Sequence, residues 1–325
     1  MAKRIDIVVP AYNEEQVLER FHEELAATLD RLPHHFRIIF VDDGSTDRTP
    51  EVCRRLAAHD GRVRYLRLSR NFGHQAALTA GLDVADADAV ITMDADLQHP
   101  PAALPVFIAA WQEGAEVVSG VRSEEAEVGY WKGVTARSFY RLLNRVSEVP
   151  ITAGAPDFRL LDGRVVQAIR RLRERTRFLR GMYAWIGFRQ VTIVYDQALR
   201  AAGTSKYTPH KMWGFALSAV LSFSRAPLRI ATWVGAIVSL LSLLYGVYAI
   251  AQVIVFRVAI PGWASLAVLV SFLSAVQLLT MGVFGEYLGQ VLDEVRARPL
   301  YVVAESSLHE RRLEAGPEPR EEAAR

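Results

Sequence analysis

Between Arg229 and Arg257 the chain runs for 27 residues without a charged side chain, and between Arg257 and Glu286 for 28 more. A helix crosses a bilayer core with about 20 apolar residues, so each run is long enough to span with some tilt. One such run can be a buried core helix, but two in succession make that reading weak. The link "RVAIPGW" is short, which predicts a hairpin with both flanks on one side. Arg225 and Arg229 precede the pair, Arg296 and Arg298 follow it, and only Arg257 lies within. The positive-inside rule then puts both flanks in the cytoplasm. Just upstream, "KMWGFALSAVLSFSRAP" reads as an interfacial amphipathic helix, with a core helix of the globular part as the competing reading. The expected layout is a globular part over 1–210, an interfacial helix over 211–227, spans over 228–256 and 263–289, and a cytoplasmic tail over 290–325. From Glu305 that tail is charged and poor in apolar residues, which predicts disorder.

The first half alternates between two periods. "IDIVVP", "FRIIFVDD", "VRYLRLS", "DAVITMD" and "AEVVSGV" are short runs rich in Val and Ile. Helical patterns separate them: Glu14–Leu32, with Val17, Leu18, Phe21, Leu25 and Leu29 on one stripe, then Thr49–His59 and Gln75–Val84. Strand and helix in turn predict an α/β domain with a mostly parallel sheet covered on both faces. Ligands of such sheets bind beyond the carboxyl ends of the strands. The polar clusters "PAYNEE", "VDDGSTD", "SRNFGHQ" and "DADLQHP" all fall at those ends. The opening "MAKRIDIVVPAYNEE" reaches charge and proline too soon for a signal peptide, so this domain is expected in the cytosol.

"MDADLQHP" carries the sharpest chemistry. Along a strand, positions i and i+2 point the same way, so Asp94 and Asp96 share a target. Two like charges that close call for a cation, and hard oxygen donors suit Mg²⁺ or Mn²⁺ on a diphosphate, with Gln98 adding a neutral oxygen. A surface turn with Asp caps is the plainer reading. Asp42 and Asp43 follow "RIIFV" at a turn and can accept hydrogen bonds from a base or from ribose hydroxyls. No G-x-G-x-x-G or Walker loop is present, so neither a dinucleotide nor ATP hydrolysis is supported. His74 and His99 stand near these motifs without the pairing of a zinc site. The net charge is only +2, but Arg122–Arg189 holds 14 Lys/Arg against 7 Asp/Glu, a basic segment suited to an anionic ligand or membrane surface. The single cysteine, Cys53, excludes an internal disulfide.

"VVPAYNEE", "VDDGSTD", "SRNFGHQAALTAGLD" and "DADLQHPP" resemble the motifs of glycosyltransferase family 2, with its GT-A fold. "DFRLLD", "RFLRGMYAWIGFRQ", "GTSKY" and "SFSRAPLR", followed by the hairpin, resemble its polyprenyl-phosphate glycosyltransferases, the group of bactoprenol glucosyltransferases and dolichol-phosphate mannosyltransferases. The resemblance implies that Pro10, Tyr12, Glu14, Asp42, Asp43, Asn71 and Gln75 hold the nucleotide sugar together with Asp94. It implies that Asp94, Asp96 and Gln98 hold the metal and diphosphate, with Asp157, Asp96 and Arg122 as the catalytic set. The implied partners are a nucleotide sugar, a polyprenyl phosphate and a bacterial plasma membrane, with no nucleic acid and a homo-oligomer left open. Two segments depart from the pattern. "SEEAEVGYW" is more acidic than is usual there, and "FALSAVLSFS" lacks an acid near Ser218.

A lipid phosphate has a second pKa near 6, so its oxygen is a nucleophile at neutral pH, whereas a sugar hydroxyl needs a general base. Asp157 in "APDFRLL" is therefore read as a positioning residue near the anomeric carbon, beside two other readings: the base, or a helix N-cap ahead of "FRLLDGRVV". Arg137, Arg141, Arg200 and Lys206 are candidates for the incoming lipid phosphate, since arginine grips phosphate bidentately. UDP-glucose is the expected donor, with GDP-mannose next and a UDP-N-acetylhexosamine third. Single displacement would invert the anomeric centre. A processive polysaccharide synthase would be expected to carry Q-x-x-R-W, and no Arg-Trp pair occurs here. A catalytically idle membrane scaffold with the same fold is the reading of a different class.

Overall fold

The computed structural model describes residues 2–122, 157–172, 174, 177, 179–195, 228, 231–238, 240, 241, 244, 245, 248 and 262–308. These fall into two units, one built from the residues up to 195 together with 299–308, the other from 228–298. Arg137, Arg141, Arg200, Lys206, the expected interfacial helix over 211–227 and the tail from 309 onward lie outside the described residues.

The first unit is organised by a sheet of eight strands among the described residues: β1 (Arg4–Ala11), β2 (His35–Asp42), β3 (Val63–Leu68), β4 (Ala89–Thr92), β5 (Val117–Arg122), β6 (Arg159–Asp162), β7 (Gln190–Tyr195) and β8 (Val303–Ser306). Their order across the sheet is β7-β5-β6-β4-β1-β2-β3-β8. β1 pairs in parallel with β2 and β4, β2 with β3, and β5 with β7. β6 runs antiparallel between β4 and β5, and β8 antiparallel along β3. The apolar runs are unbroken because both faces of the sheet are covered. Ile5, Ile7 and Val9 of β1 enter one core with Ile38 and Phe40 of β2, while Val8, Ile39 and Val41 enter the other.

The first core is roofed by α1 (Leu18–Leu29), α2 (Thr49–His59) and α4 (Leu104–Gln112), the second by α3 (His74–Val84), α5 (Gly163–Arg171) and α6 (Leu179–Trp185). Leu18, Phe21, Leu25 and Leu29 are buried as the i, i+3, i+7 stripe requires. α2 has the expected bounds, and α3 starts one residue early. α1 is shorter than the expected Glu14–Leu32, because the residues before it are tied into a loop network described below.

Two expectations are corrected. The "FRLLD" run is no helix entry: Arg159–Asp162 is a strand, and the N-cap of α5 is Asp162, whose carboxylate accepts from the Arg164 N–H at 2.9 Å, rather than Asp157. β4 and β5 each offer an edge at that point, and pairing to both outweighs local helix preference. Glu305 does not open a disordered tail. It lies in β8, where its carboxylate takes a bidentate grip from Arg54 (2.9 and 2.8 Å) and a bond from the Tyr65 hydroxyl at 2.5 Å. Those partners hold the Glu305 carboxyl down at about 2.

In the second unit α7 (Trp263–Arg296) has 34 residues, or about 51 Å at the helical rise. It continues past the expected end at residue 289 because Leu288, Val291 and Val295 prolong an apolar face, and it stops at Ala297, whose φ is 47°. Among the described residues one helix is long and apolar enough to cross a membrane, Phe272–Arg296 within α7. The described residues between 228 and 248 are helical, and a second span of the expected hairpin is not shown among the described residues.

Candidate active site

The strand directions bring the carboxyl ends of β1, β2, β3, β4, β5 and β7 to one edge of the sheet, and the reversal of β6 brings its amino end there too. Pro10, Asp42, Asp43, Asp94 and Arg122 are thus gathered with Asp157, which precedes β6. The edge is built from interlocked loops. After β1, the Asn13 N–H donates to Ser45 Oγ (2.9 Å) and the Glu14 N–H to Thr49 Oγ1 (2.8 Å), while Asn13 Oδ1 accepts from the Thr46 N–H (2.9 Å). Tyr12 and Glu14, half-buried, stand on this scaffold.

Asp42 and Asp43 are buried, and burial pushes both carboxyls up. Asp42 accepts from the Ser45 N–H at 3.0 Å and faces Arg67 at 3.4 Å. Asp43 accepts the Phe72 and Gly73 N–H groups at 2.8 and 2.9 Å, tying the β2 tip to the loop that carries exposed Asn71. Gly44 makes this approach possible: its φ is 65°, and a Cβ there would stand 2.3 Å from the Arg70 carbonyl carbon and 2.7 Å from the Asn71 nitrogen. Gly44→Ala is expected to destabilise the domain by about 2 kcal/mol or more, combining left-handed strain with a backbone clash. An unchanged urea midpoint would refute this.

Beyond β4 the burial alternates: Met93, Ala95, Leu97 and His99 are buried while Asp94, Asp96 and Gln98 are half-buried. The strand itself ends at Thr92, and Leu97 takes φ 62°, so the alternation is carried by a turn. The turn is held by Asp96, whose Oδ1 accepts from the Gln98 N–H at 3.1 Å, and by His99, whose Nδ1 accepts from the Asp94 N–H at 2.9 Å. His99 is fully buried and stacked on Phe158 at 4.9 Å with rings 9° apart, so the turn that carries Asp94 and Asp96 rests on the residue next to Asp157. Among the described residues no group of three or more His, Cys, Asp or Glu forms a self-sufficient metal cage. Two carboxylates and an amide oxygen fit a hard divalent cation that completes its shell with substrate phosphate and water.

Asp157 is 4% exposed. Arg180 Nε donates to its Oδ1 at 3.1 Å and Nη2 to Oδ2 at 3.2 Å; Gln75 Nε2 donates to Oδ2 at 3.0 Å, and His74 Nε2 lies 3.3 Å from Oδ2. Burial alone would raise this carboxyl, but the His74 hydrogen bond and the Arg180 charge hold it well below the usual carboxylate range. His74 also reaches Asp94 Oδ1 at 3.7 Å. Burial works against protonation of His74, yet Asp157 and Asp94 outweigh it and push its pKa up to about 9. His74, Arg180, His99 and Asn13 were not singled out as site residues from sequence. The signal for His74 and Arg180 was their presence in "SRNFGHQ" and "RFLRGMYAW", but nothing in those strings says which carboxylate they meet.

The family model for glycosyl transferase family 2 matches residues 6–170, which takes in the tips of β1 to β5 and Asp157 but stops short of Arg180 and β7. The chain is 43% identical over 305 residues, 94% of its length and 96% of the relative's, to an uncharacterized glycosyltransferase of Synechocystis sp.. It is 39% identical over 300 residues, 92% and 93% of the two chains, to an uncharacterized glycosyltransferase of Bacillus subtilis. It is also 40% identical over 303 residues, 93% and 98% of the two chains, to the bactoprenol glucosyl transferase of Shigella phage SfII. With an α/β, mostly parallel sheet and a match of this extent, the chain belongs to glycosyltransferase family 2 and is a glycosyltransferase.

Proposed function

We propose that this is a membrane-bound, inverting glycosyltransferase that moves a hexose, with UDP-glucose as the donor, onto a polyprenyl phosphate at a bacterial plasma membrane. The observation that carries the reading is the state of Asp157. A carboxylate holding donors from Arg180, Gln75 and His74, with its pKa driven down, is poorly suited to take a proton from a hydroxyl. An acceptor that arrives already ionised needs no such base, and a phosphate monoester does so near neutral pH. The similarity to the phage bactoprenol glucosyl transferase supports the same acceptor and sugar.

In this reading Asp42 and Asp43 stiffen the nucleoside end of the site together with Pro10, Tyr12, Glu14 and Asn71, and Arg122 meets a phosphate from the tip of β5. Asp94, Asp96 and Gln98 would hold Mg²⁺ or Mn²⁺, which when bound neutralises the charge of the leaving nucleoside diphosphate. Asp157 orients the anomeric centre, and Arg137, Arg141, Arg200 and Lys206 receive the lipid phosphate. The test is transfer of labelled sugar from UDP-glucose, GDP-mannose and UDP-N-acetylglucosamine to undecaprenyl phosphate. Organic-extractable label from UDP-glucose is expected. Label from none of the three, with intact nucleotide binding, would favour the idle scaffold.

The sheet also supports the hairpin. The chain leaves the first unit after β7 and returns to it at β8, on the far edge of the same sheet. Both ends of the intervening segment therefore belong on one side of a membrane, which requires an even number of crossings. Since α7 supplies one, 228–256 supplies another. Reporter fusions are expected to place Arg325 in the cytoplasm and the Arg257–Gly262 link outside; a periplasmic C-terminus would refute the hairpin.

A further inference from the structure

We propose that Arg180 and Gln75 are positioning residues of the transfer reaction, acting through Asp157; this rests on the transferase reading above. The three side chains form a closed ring. Arg180 meets the Asp157 carboxylate with a two-point fork, 3.1 Å to Oδ1 and 3.2 Å to Oδ2, which sets the plane of the carboxylate as well as its position. Gln75 donates to Oδ2 at 3.0 Å through Nε2, and its Oε1 accepts from the Leu179 N–H at 3.2 Å. Leu179 is the residue before Arg180, so Gln75 joins the carboxylate to the first residue of the helix that carries its arginine. Turning Asp157 breaks several bonds at once.

The helix that closes the ring is itself clamped. Leu179, Met182 and Tyr183 of α6 are buried in the second core. Beneath them Arg159, also buried, lies 4.8 Å from the Tyr183 ring centroid and donates to Ser119 Oγ at 2.7 Å. Gln190 Nε2 donates to the Tyr183 carbonyl at 2.7 Å. Gln75 comes from α3, Arg180 from α6 and Asp157 from the entry to β6, so three elements converge on one carboxylate. Pinning α6 to the sheet does not account for this. A buried ion pair is often no more stabilising than apolar residues of similar volume, and the apolar contacts of α6 already anchor it. What the ring adds is a fixed orientation for an anion at the ligand-binding edge, with His74 reaching from Asp157 to the metal motif.

The experiment is a pair of kinetic double-mutant cycles on the full-length protein in detergent, with UDP-glucose and undecaprenyl phosphate. Arg180→Ala and Gln75→Leu are each expected to lower kcat by on the order of 10²-fold, the effect of a small misplacement. The KM for UDP-glucose should move by less than about 3-fold, because both ends of the Gln75 amide, which the family resemblance assigns to the nucleotide sugar, are engaged by Asp157 and the Leu179 N–H. In an Asp157→Asn background each is expected to cost less than about 3-fold more, since residues acting as one unit are not additive. Arg180→Lys, which keeps the charge but loses the fork, should fall between wild type and Arg180→Ala. If Arg180→Ala does not fold, Arg180→Lys in the wild-type and Asp157→Asn backgrounds completes the cycle. Additive losses, or a KM change without a kcat change, would overturn the proposal while leaving the transferase reading standing. A wild-type protein that binds UDP, seen by calorimetry, yet transfers nothing to lipid phosphate would overturn both.

Discussion

Asp96→Asn is expected to remove nearly all transfer, by roughly 10³-fold or more, from a protein that still folds and inserts. The magnitude follows from the charge a divalent cation would offset on a departing diphosphate, about 4 kcal/mol of the barrier at a tenfold change per 1.36 kcal/mol. The substitution is gentle on the fold. Asp96 is half-buried, and the bond its Oδ1 accepts from the Gln98 N–H can be accepted equally by an Asn carbonyl oxygen. Asp94 keeps its own support, the backbone bond to buried His99. Unfolding midpoints should therefore stay close to wild type while turnover collapses, and EDTA should silence the wild type in the same way. Full activity of the Asn variant, or of the wild type in EDTA, would remove the metal role.

Asp157→Asn is expected to lower kcat/KM by on the order of 10²-fold and to leave the shape of the pH–rate profile intact. The carboxyl is held far below its ordinary range, with burial opposing and His74 and Arg180 prevailing. A depressed folded-state pKa means that its contribution to stability is fully present above the unfolded value of about 3.9 and is lost only as pH falls through the folded one. Between pH 5 and 8 Asp157 is an anion throughout and contributes no limb to rate or stability. The acidic limb then belongs to the acceptor, whose second phosphate pKa is about 6, and the rate falls as pH drops below it. The variant keeps that limb. A flat profile in Asp157→Asn, at a much lower rate, would mean that Asp157 is the base after all.

The strand tips were legible because both faces of the sheet are buried. That forces continuous apolar runs, and each run ends where the chain turns polar at the ligand edge. The alternation of burial from Met93 to His99 was legible too, since it needs only neighbours two residues apart, and it continues even though β4 stops at Thr92. β6 and β8 were not legible. Each is short and lacks the Val and Ile run that marked four-residue β4, and each is a strand because an existing strand lent it an edge. Asp157 looked equally like a cap because its own neighbourhood holds nothing that says otherwise.

The sequence by itself determined the family, the alternating α/β plan, the edge at which the polar strand tips gather and two charge-free runs long enough to span a membrane. These rest on periodicities of two and about four residues, on motifs read in order and, for the two runs, on the absence of charge. Only the tertiary structure decided which side chains hold Asp157. Its partners come from 82 and 23 residues away, Gln75 on one helix and Arg180 on another, and no local pattern records such a meeting. The same holds for Glu305, which reaches Arg54 across 251 residues. Contacts of that separation are set by how helices pack on a finished sheet, where burial and hydrogen-bond satisfaction are settled for all the elements together.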